Sequence, residues 1–131
     1  MYRLRNDLEA DAVIGLVKLK RIKNRSLLYR KKIFHSSHFN TNVLFRAYQI
    51  SNFPSLHARK DLGYILDMST RSIQLWFQNI RRDYVPSINV VFRSISSLEI
   101  INIYMEERYK LYNNFYKRSS LLLNRPKFKG G

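Results

Sequence analysis

The chain contains no cysteine, which excludes disulfides, thiolate zinc sites, and zinc-finger or zinc-knuckle readings. Glycine and proline number only 4 and 3 in 131 residues, too few for an all-β domain built on tight turns. No uncharged apolar run approaches the roughly 18 residues of a membrane span. The stretch Val13 to Val17 is too short for a signal-peptide core, so secretion is not expected. Acidic residues are also scarce: 9 Asp and Glu face 24 Lys and Arg, a net charge of +15. Such imbalance strains the compact state through self-repulsion and points to nucleic acid phosphates or an anionic membrane surface as partner. What is present suffices for a core, with 45% hydrophobic and 14% aromatic residues, so a wholly disordered basic tail is excluded. The length fits one domain, or a small domain with extensions.

Residues 1–28 read as a helix followed by a basic run. Asp7 is suited to cap the helix, and Leu8, Ala12, Leu16 and Leu19 follow at helical spacing. Lys18 to Lys32 holds eight basic residues and no acid. It is either a solvated helix end or, the preferred reading, a phosphate-contacting arm that doubles as a nuclear import signal.

Three helices are predicted between residues 37 and 85. Ser37 caps the first, whose apolar stripe is Val43, Leu44, Ala47 and Tyr48. Asn52-Phe53-Pro54 punctuates, and Ser55 caps a second stripe of Ala58, Leu62, Ile65 and Leu66. Asp67-Met68-Ser69 is a tight connection, with Ser69 capping a third stripe of Ile73, Trp76, Phe77 and Ile80. Pro86 ends the pattern. Two short helices joined by a three-residue turn make a helix-turn-helix arrangement. Beyond it, Ile88 to Phe92 suits a short strand or an extended linker. Ser96 and Glu99 form a capping box ahead of a predicted helix over 97–118, with Leu98, Ile101, Met105, Tyr112 and Phe115 at helical spacing. That helix either packs back on its own domain or serves a protein partner or homodimer, in which case folding does not need it. The tail from Arg125 to Gly131 reads as disordered.

Trp76-Phe77-Gln78-Asn79, followed by Arg81 and Arg82, resembles the third-helix signature of the homeodomain family. Leu44, Tyr48, Phe53-Pro54, Arg59, Leu62, Leu66 and Met68 extend the resemblance without a gap. It covers about residues 29–85, with a basic extension at 1–28 and a helical extension at 86–131. The resemblance implies an all-α fold: a three-helix bundle containing the helix-turn-helix, with N- and C-terminal helical extensions. It implies a nuclear protein that binds double-stranded DNA and regulates transcription, reading an A/T-rich site of TAAT type. Trp76 and Phe77 would anchor the third helix on the first two. Leu75, Gln78, Asn79 and Arg82 would meet base edges in the major groove, Asn79 by a two-bond match to one adenine. Arg59 and Arg81 match positions that hold phosphates. Arg30, Lys31 and Lys32 would enter or flank a narrow minor groove.

Several positions depart from the family pattern. Phe45 and Ile80 stand where a salt bridge is common, and Ala47 and Ala58 replace a second pair. Phe53 lacks a phosphate-contacting hydroxyl. Gly63 lies inside a helix, at a cost of about 0.5–1 kcal/mol against alanine. Asp83 places negative charge where the family is basic. Ile33 takes the position of the minor-groove arginine and Ser36 that of a core aromatic, unless two extra residues put Phe34 in the core and Lys31 in the groove. Such departures leave open a degenerate homeodomain that binds proteins and holds DNA weakly. No catalytic constellation is visible. His35 and His38 lack a third ligand, so no metal or other cofactor, no enzymatic activity, no small-molecule substrate and no membrane partner are expected.

Overall fold

The computed structural model describes residues 4–24, 37–84 and 93–123. Five helices and no strand occur among them: α1 (Asp7–Asn24), α2 (Ser37–Ile50), α3 (Leu56–Leu66), α4 (Thr70–Tyr84) and α5 (Ser97–Leu123). The fold is all-α. The readings at Ile88–Phe92, at Ile33, Phe34 and Ser36, and at the tail from Arg125 lie outside the described residues.

The bundle of α2, α3 and α4 follows its local signals. The Ser55 hydroxyl accepts the Ala58 N–H at 3.2 Å, and the Ser69 hydroxyl accepts the Ser72 N–H at 3.0 Å, so both serines cap as their positions suggest. Asp67 takes a left-handed conformation (φ 56°) and turns the chain from α3 into α4. The turn folds back tightly. The Met68 N–H bonds the Gly63 carbonyl at 2.9 Å, and a Cβ on Gly63 would meet the Met68 carbonyl oxygen at 2.7 Å. The glycine is therefore a requirement of the turn rather than a helix defect. Val43, Leu44, Ala47 and Tyr48 meet Ala58, Leu62, Ile65, Leu66, Ile73 and Phe77, all buried. Ala47 and Ala58 are both sealed in this core, and the Phe45 ring stands edge-on to Tyr84, with centroids 6.4 Å apart.

α1 begins at a different cap from the one expected. The Asn6 side chain accepts the Glu9 N–H at 2.9 Å, and the Glu9 carboxylate accepts the Arg5 N–H at 3.0 Å. Asn6 has the same capping chemistry as Asp7, one residue earlier. The helix also turns its other face inward. Ala10 and Ile14 are buried, whereas Leu8, Leu16 and Leu19 are 81%, 67% and 64% exposed and Ala12 faces solvent. The physical reason lies in α3. The Arg21 guanidinium donates to the Tyr64 carbonyl (3.1 and 3.2 Å) and lies 3.6 Å from Asp67, while Lys18 sits over the Tyr64 ring. Two members of the basic run are thus engaged within the protein.

α5 closes the structure. Ser96 and Glu99 form the capping box, with bonds of 3.1 and 3.3 Å. Ile95, Ile100, Ile101 and Ile103 are buried against the other helices, and Tyr104 meets Phe39 of α2 edge-on at 5.4 Å. Asn102 accepts the Leu4 N–H (3.0 Å) and donates to the Leu4 carbonyl (3.3 Å). Arg46 of α2 bridges Glu106 and Glu107. Burial opposes its charge, but the hydrogen bonds and attraction of the two carboxylates outweigh burial and raise its pKa above the ordinary arginine value. Ser97 donates to the carboxylate of Asp61, which is fully buried on α3, and the His57 ring lies 3.4 Å from the same oxygen. The inner half of α5 therefore belongs to the core. Beyond Glu107 the helix runs out with Tyr112, Phe115 and Tyr116 exposed.

Candidate nucleic-acid interface

α4 is two-sided because its apolar residues recur every three or four positions. Ile73 and Phe77 are buried at 0% and 1%, and Trp76 and Ile80 pack at the edge of the core. Phe77 is the true anchor. Trp76 is half-buried and stands edge-on to it, centroids 5.2 Å apart. The opposite side carries Leu75, Gln78, Asn79 and Arg82, all exposed on one face. The side chains of Gln78 and Asn79 are exposed and form no hydrogen bond with the described residues, so their amides are free to face a ligand. Arg82 lies 3.6 Å from Asp83, both well exposed, a pairing weak enough for a phosphate or base to displace.

Arg81 is more firmly held. Its guanidinium donates to the Asn52 carbonyl at 2.8 Å and stacks over the Phe53 ring at 4.3 Å. Asn52 is itself buried and donates to the Tyr48 carbonyl at 2.9 Å, so the contact latches α4 to the α2–α3 connection. Burial, reinforced by the nearby charge of Arg59 and opposed by Tyr48, pulls the Arg81 pKa below its ordinary value. Arginine still stays charged throughout the accessible range. Arg59 has a buried Nε without a hydrogen-bond partner. Among the described residues no carboxylate pairs with either guanidinium. Two neighbouring arginines without an acid between them make a local positive site, and five N–H donors leave Arg81 capacity beyond Asn52. Arg30, Lys31 and Lys32 lie outside the described residues.

Asn52 carries no sequence signal for its part, since its carbonyl acts through Arg81 and reads locally as turn punctuation. Among the described residues no three His, Asp or Glu side chains cluster to hold a metal ion. No helix there is long and apolar enough to cross a membrane.

The sequence model of the homeodomain family matches residues 30–83. Three curated relatives come from Encephalitozoon cuniculi (strain GB-M1). Homeobox protein HD-4 is 39% identical over 74 residues, covering 56% of this chain and 56% of that protein. Homeobox protein HD-11 is 35% identical over 80 residues, 61% and 57% of the two chains. Homeobox protein HD-7 is 31% identical over 74 residues, 56% and 68%. The chain thus spans little more than half the length of the first two. No solved structure matches it significantly.

Proposed function

Because the chain belongs to the homeodomain family, a DNA-binding and non-enzymatic kind of protein, we propose that α4 enters the major groove of an A/T-rich, TAAT-type site and that the protein regulates transcription in the nucleus. Asn79 pairs with one adenine through two hydrogen bonds, accepting from N6 and donating to N7. Leu75 offers an apolar surface to a thymine methyl, Gln78 tunes the flanking base, and Arg82 forks onto a guanine or grips phosphate. Arg59 and Arg81 hold the backbone, and Arg30, Lys31 and Lys32 follow the minor groove. The observation that carries this reading is the pair of unpartnered amides, Gln78 and Asn79, on the face of α4 opposite Ile73 and Phe77.

Selection of the full-length chain against random duplex DNA tests it. An enriched short motif is expected, with log affinity falling against log salt at a slope of about −4 to −5 for 4–6 phosphate contacts. Asn79→Ala should weaken the selected site by about 1–3 kcal/mol and flatten preference at one base without altering the melt. An unchanged affinity ratio between selected and scrambled DNA would refute the reading. A second reading, a protein-interaction module with weak DNA binding, is supported by Asp83 beside Arg82 and by the exposed aromatics on the outer half of α5. Uniform, salt-labile binding in the same selection would favour it.

A further inference from the structure

α1 is apolar on two opposite sides, and its own domain uses one of them. Leu8, Ala12, Gly15, Leu19 and Ile22 succeed one another at steps of four, three, four and three, the spacing of a coiled-coil seam. This seam lies opposite Ala10 and Ile14. Leu8, Leu19 and Ile22 are 81%, 64% and 68% exposed, a continuous stripe rather than scattered residues. Gly15 sits in its middle. Its φ is not positive, and nothing lies within 4 Å of where a Cβ would be. Glycine inside a helix is destabilising relative to alanine, and within the monomer neither backbone nor crowding asks for one. A second helix crossing closely at that point would.

The charges select the occupant. The acids of α1, Asp7, Glu9 and Asp11, all precede Gly15, and its bases, Lys18, Lys20, Arg21 and Lys23, all follow it. Laid against itself in reverse, the helix sets the acids of its first half against the bases of its second half, Arg21 excepted, since it is turned toward Asp67. We propose that a second copy of this chain docks on this face, α1 against α1, antiparallel about a twofold axis. In the coiled-coil register Leu8 of each copy meets Leu19 of the other, and Ala12 meets Gly15. On the rim Asp11 stands beside Lys18 twice over. Lys18 lies 5.1 Å from the Tyr64 ring centroid and pairs with no carboxylate among the described residues. Asp11 is exposed and has no ion pair among the described residues. The contact is isologous, so it closes at two copies. A helix of 18 residues is about 27 Å long, which places the interface at the small end and makes the dimer weak and concentration-dependent.

Sedimentation velocity over a concentration series of the full-length, nuclease-treated chain tests the proposal, with circular dichroism confirming that each variant is folded. The wild type should sediment faster as concentration rises. Leu19→Glu should remain a monomer. Asp11→Lys and Lys18→Asp should each remain monomers, because each places like charges opposite one another, and an equimolar mixture of the two should recover wild-type association. A wild type that is monomeric at every concentration overturns the proposal, as does a mixture that associates no better than its components. Association that survives Leu19→Glu but is lost in Phe115→Ser would put the contact on α5 and overturn it too. The measurement uses no DNA, so its failure leaves the DNA-binding reading untouched.

Discussion

Replacing Gly63 with alanine sets two effects of known sign against each other. Alanine is favoured over glycine inside a helix by about 0.8–1 kcal/mol, so propensity alone predicts stabilisation. The new Cβ, however, would lie 2.7 Å from the Met68 carbonyl oxygen, where ordinary contact begins at 3.4 Å. That oxygen belongs to backbone and cannot swing aside. The Met68 N–H is bonded to the Gly63 carbonyl, and Asp67 fixes the turn in its left-handed conformation. Opening the turn by 0.7 Å disturbs the junction of α3 and α4, and overpacking of this kind costs about 1–3 kcal/mol. The clash therefore outweighs propensity, and Gly63→Ala should lose about 0.5–2 kcal/mol. Gly15→Ala is the matched control, because its Cβ would meet nothing within 4 Å. In dilute protein it should gain about 0.5–1 kcal/mol. Equilibrium urea unfolding of both variants reads the difference directly. If the two substitutions stabilise equally, the close approach at Met68 does not govern Gly63 and the reasoning fails.

Phe77→Ala should cost about 3–5 kcal/mol in thermal melts, and Trp76→Ala about 2 kcal/mol because that ring is half-buried; the reverse order would contradict the packing of α4. Ser97→Ala removes the hydrogen bond to buried Asp61 and should cost about 1–3 kcal/mol in urea unfolding, whereas unchanged stability would mean that water replaces the hydroxyl freely. Asn102→Ala should accelerate amide exchange in the first turn of α1, since both backbone groups of Leu4 lose their partner; unchanged protection would show that apolar contacts alone hold the helix. A chain ending before Ile95 should lose its cooperative melt, and one ending after Lys110 should keep it, because the buried isoleucines of α5 all lie between these points.

The parts of the fold legible in the sequence are those whose causes are local. Ser55 and Ser69 announce α3 and α4, and the three-and-four spacing of Ile73, Trp76, Phe77 and Ile80 fixes which side of α4 turns inward. The exposed side, with Leu75, Gln78, Asn79 and Arg82, follows from that geometry. α1 was different. It carries two apolar stripes, and the inward one is chosen by Tyr64 and Asn102, far along the chain, so periodicity named the wrong face. Gly63 read as a propensity penalty because the carbonyl that demands it arrives only when the turn is folded. Phe39 carries no local signal of its burial, since its partner, Tyr104, lies on α5. Arg81 was legible as a cation, but its bond to the Asn52 carbonyl is a long-range contact that no spacing encodes.

The clasp between Leu4 and Asn102 spans 98 positions, and this bears on the order in which the protein forms as it is made. α2, α3 and α4 share contacts that are near in sequence, but the core they build also takes in Ile95, Ile100, Ile101 and Ile103, so it is complete only once the inner half of α5 has left the ribosome. α1 emerges before them and can meet Tyr64 and Asp67 of α3, yet Leu4 must wait for Asn102. Closing so long a loop adds little to the thermodynamic cost, which grows only logarithmically, but contacts this distant slow the search. At about 5–20 residues per second, synthesis leaves α1 without its α5 partner for several seconds, with its outer apolar side open to chaperones and to neighbouring nascent chains. The helix synthesised earliest is thus the one whose N-terminal end is fastened last.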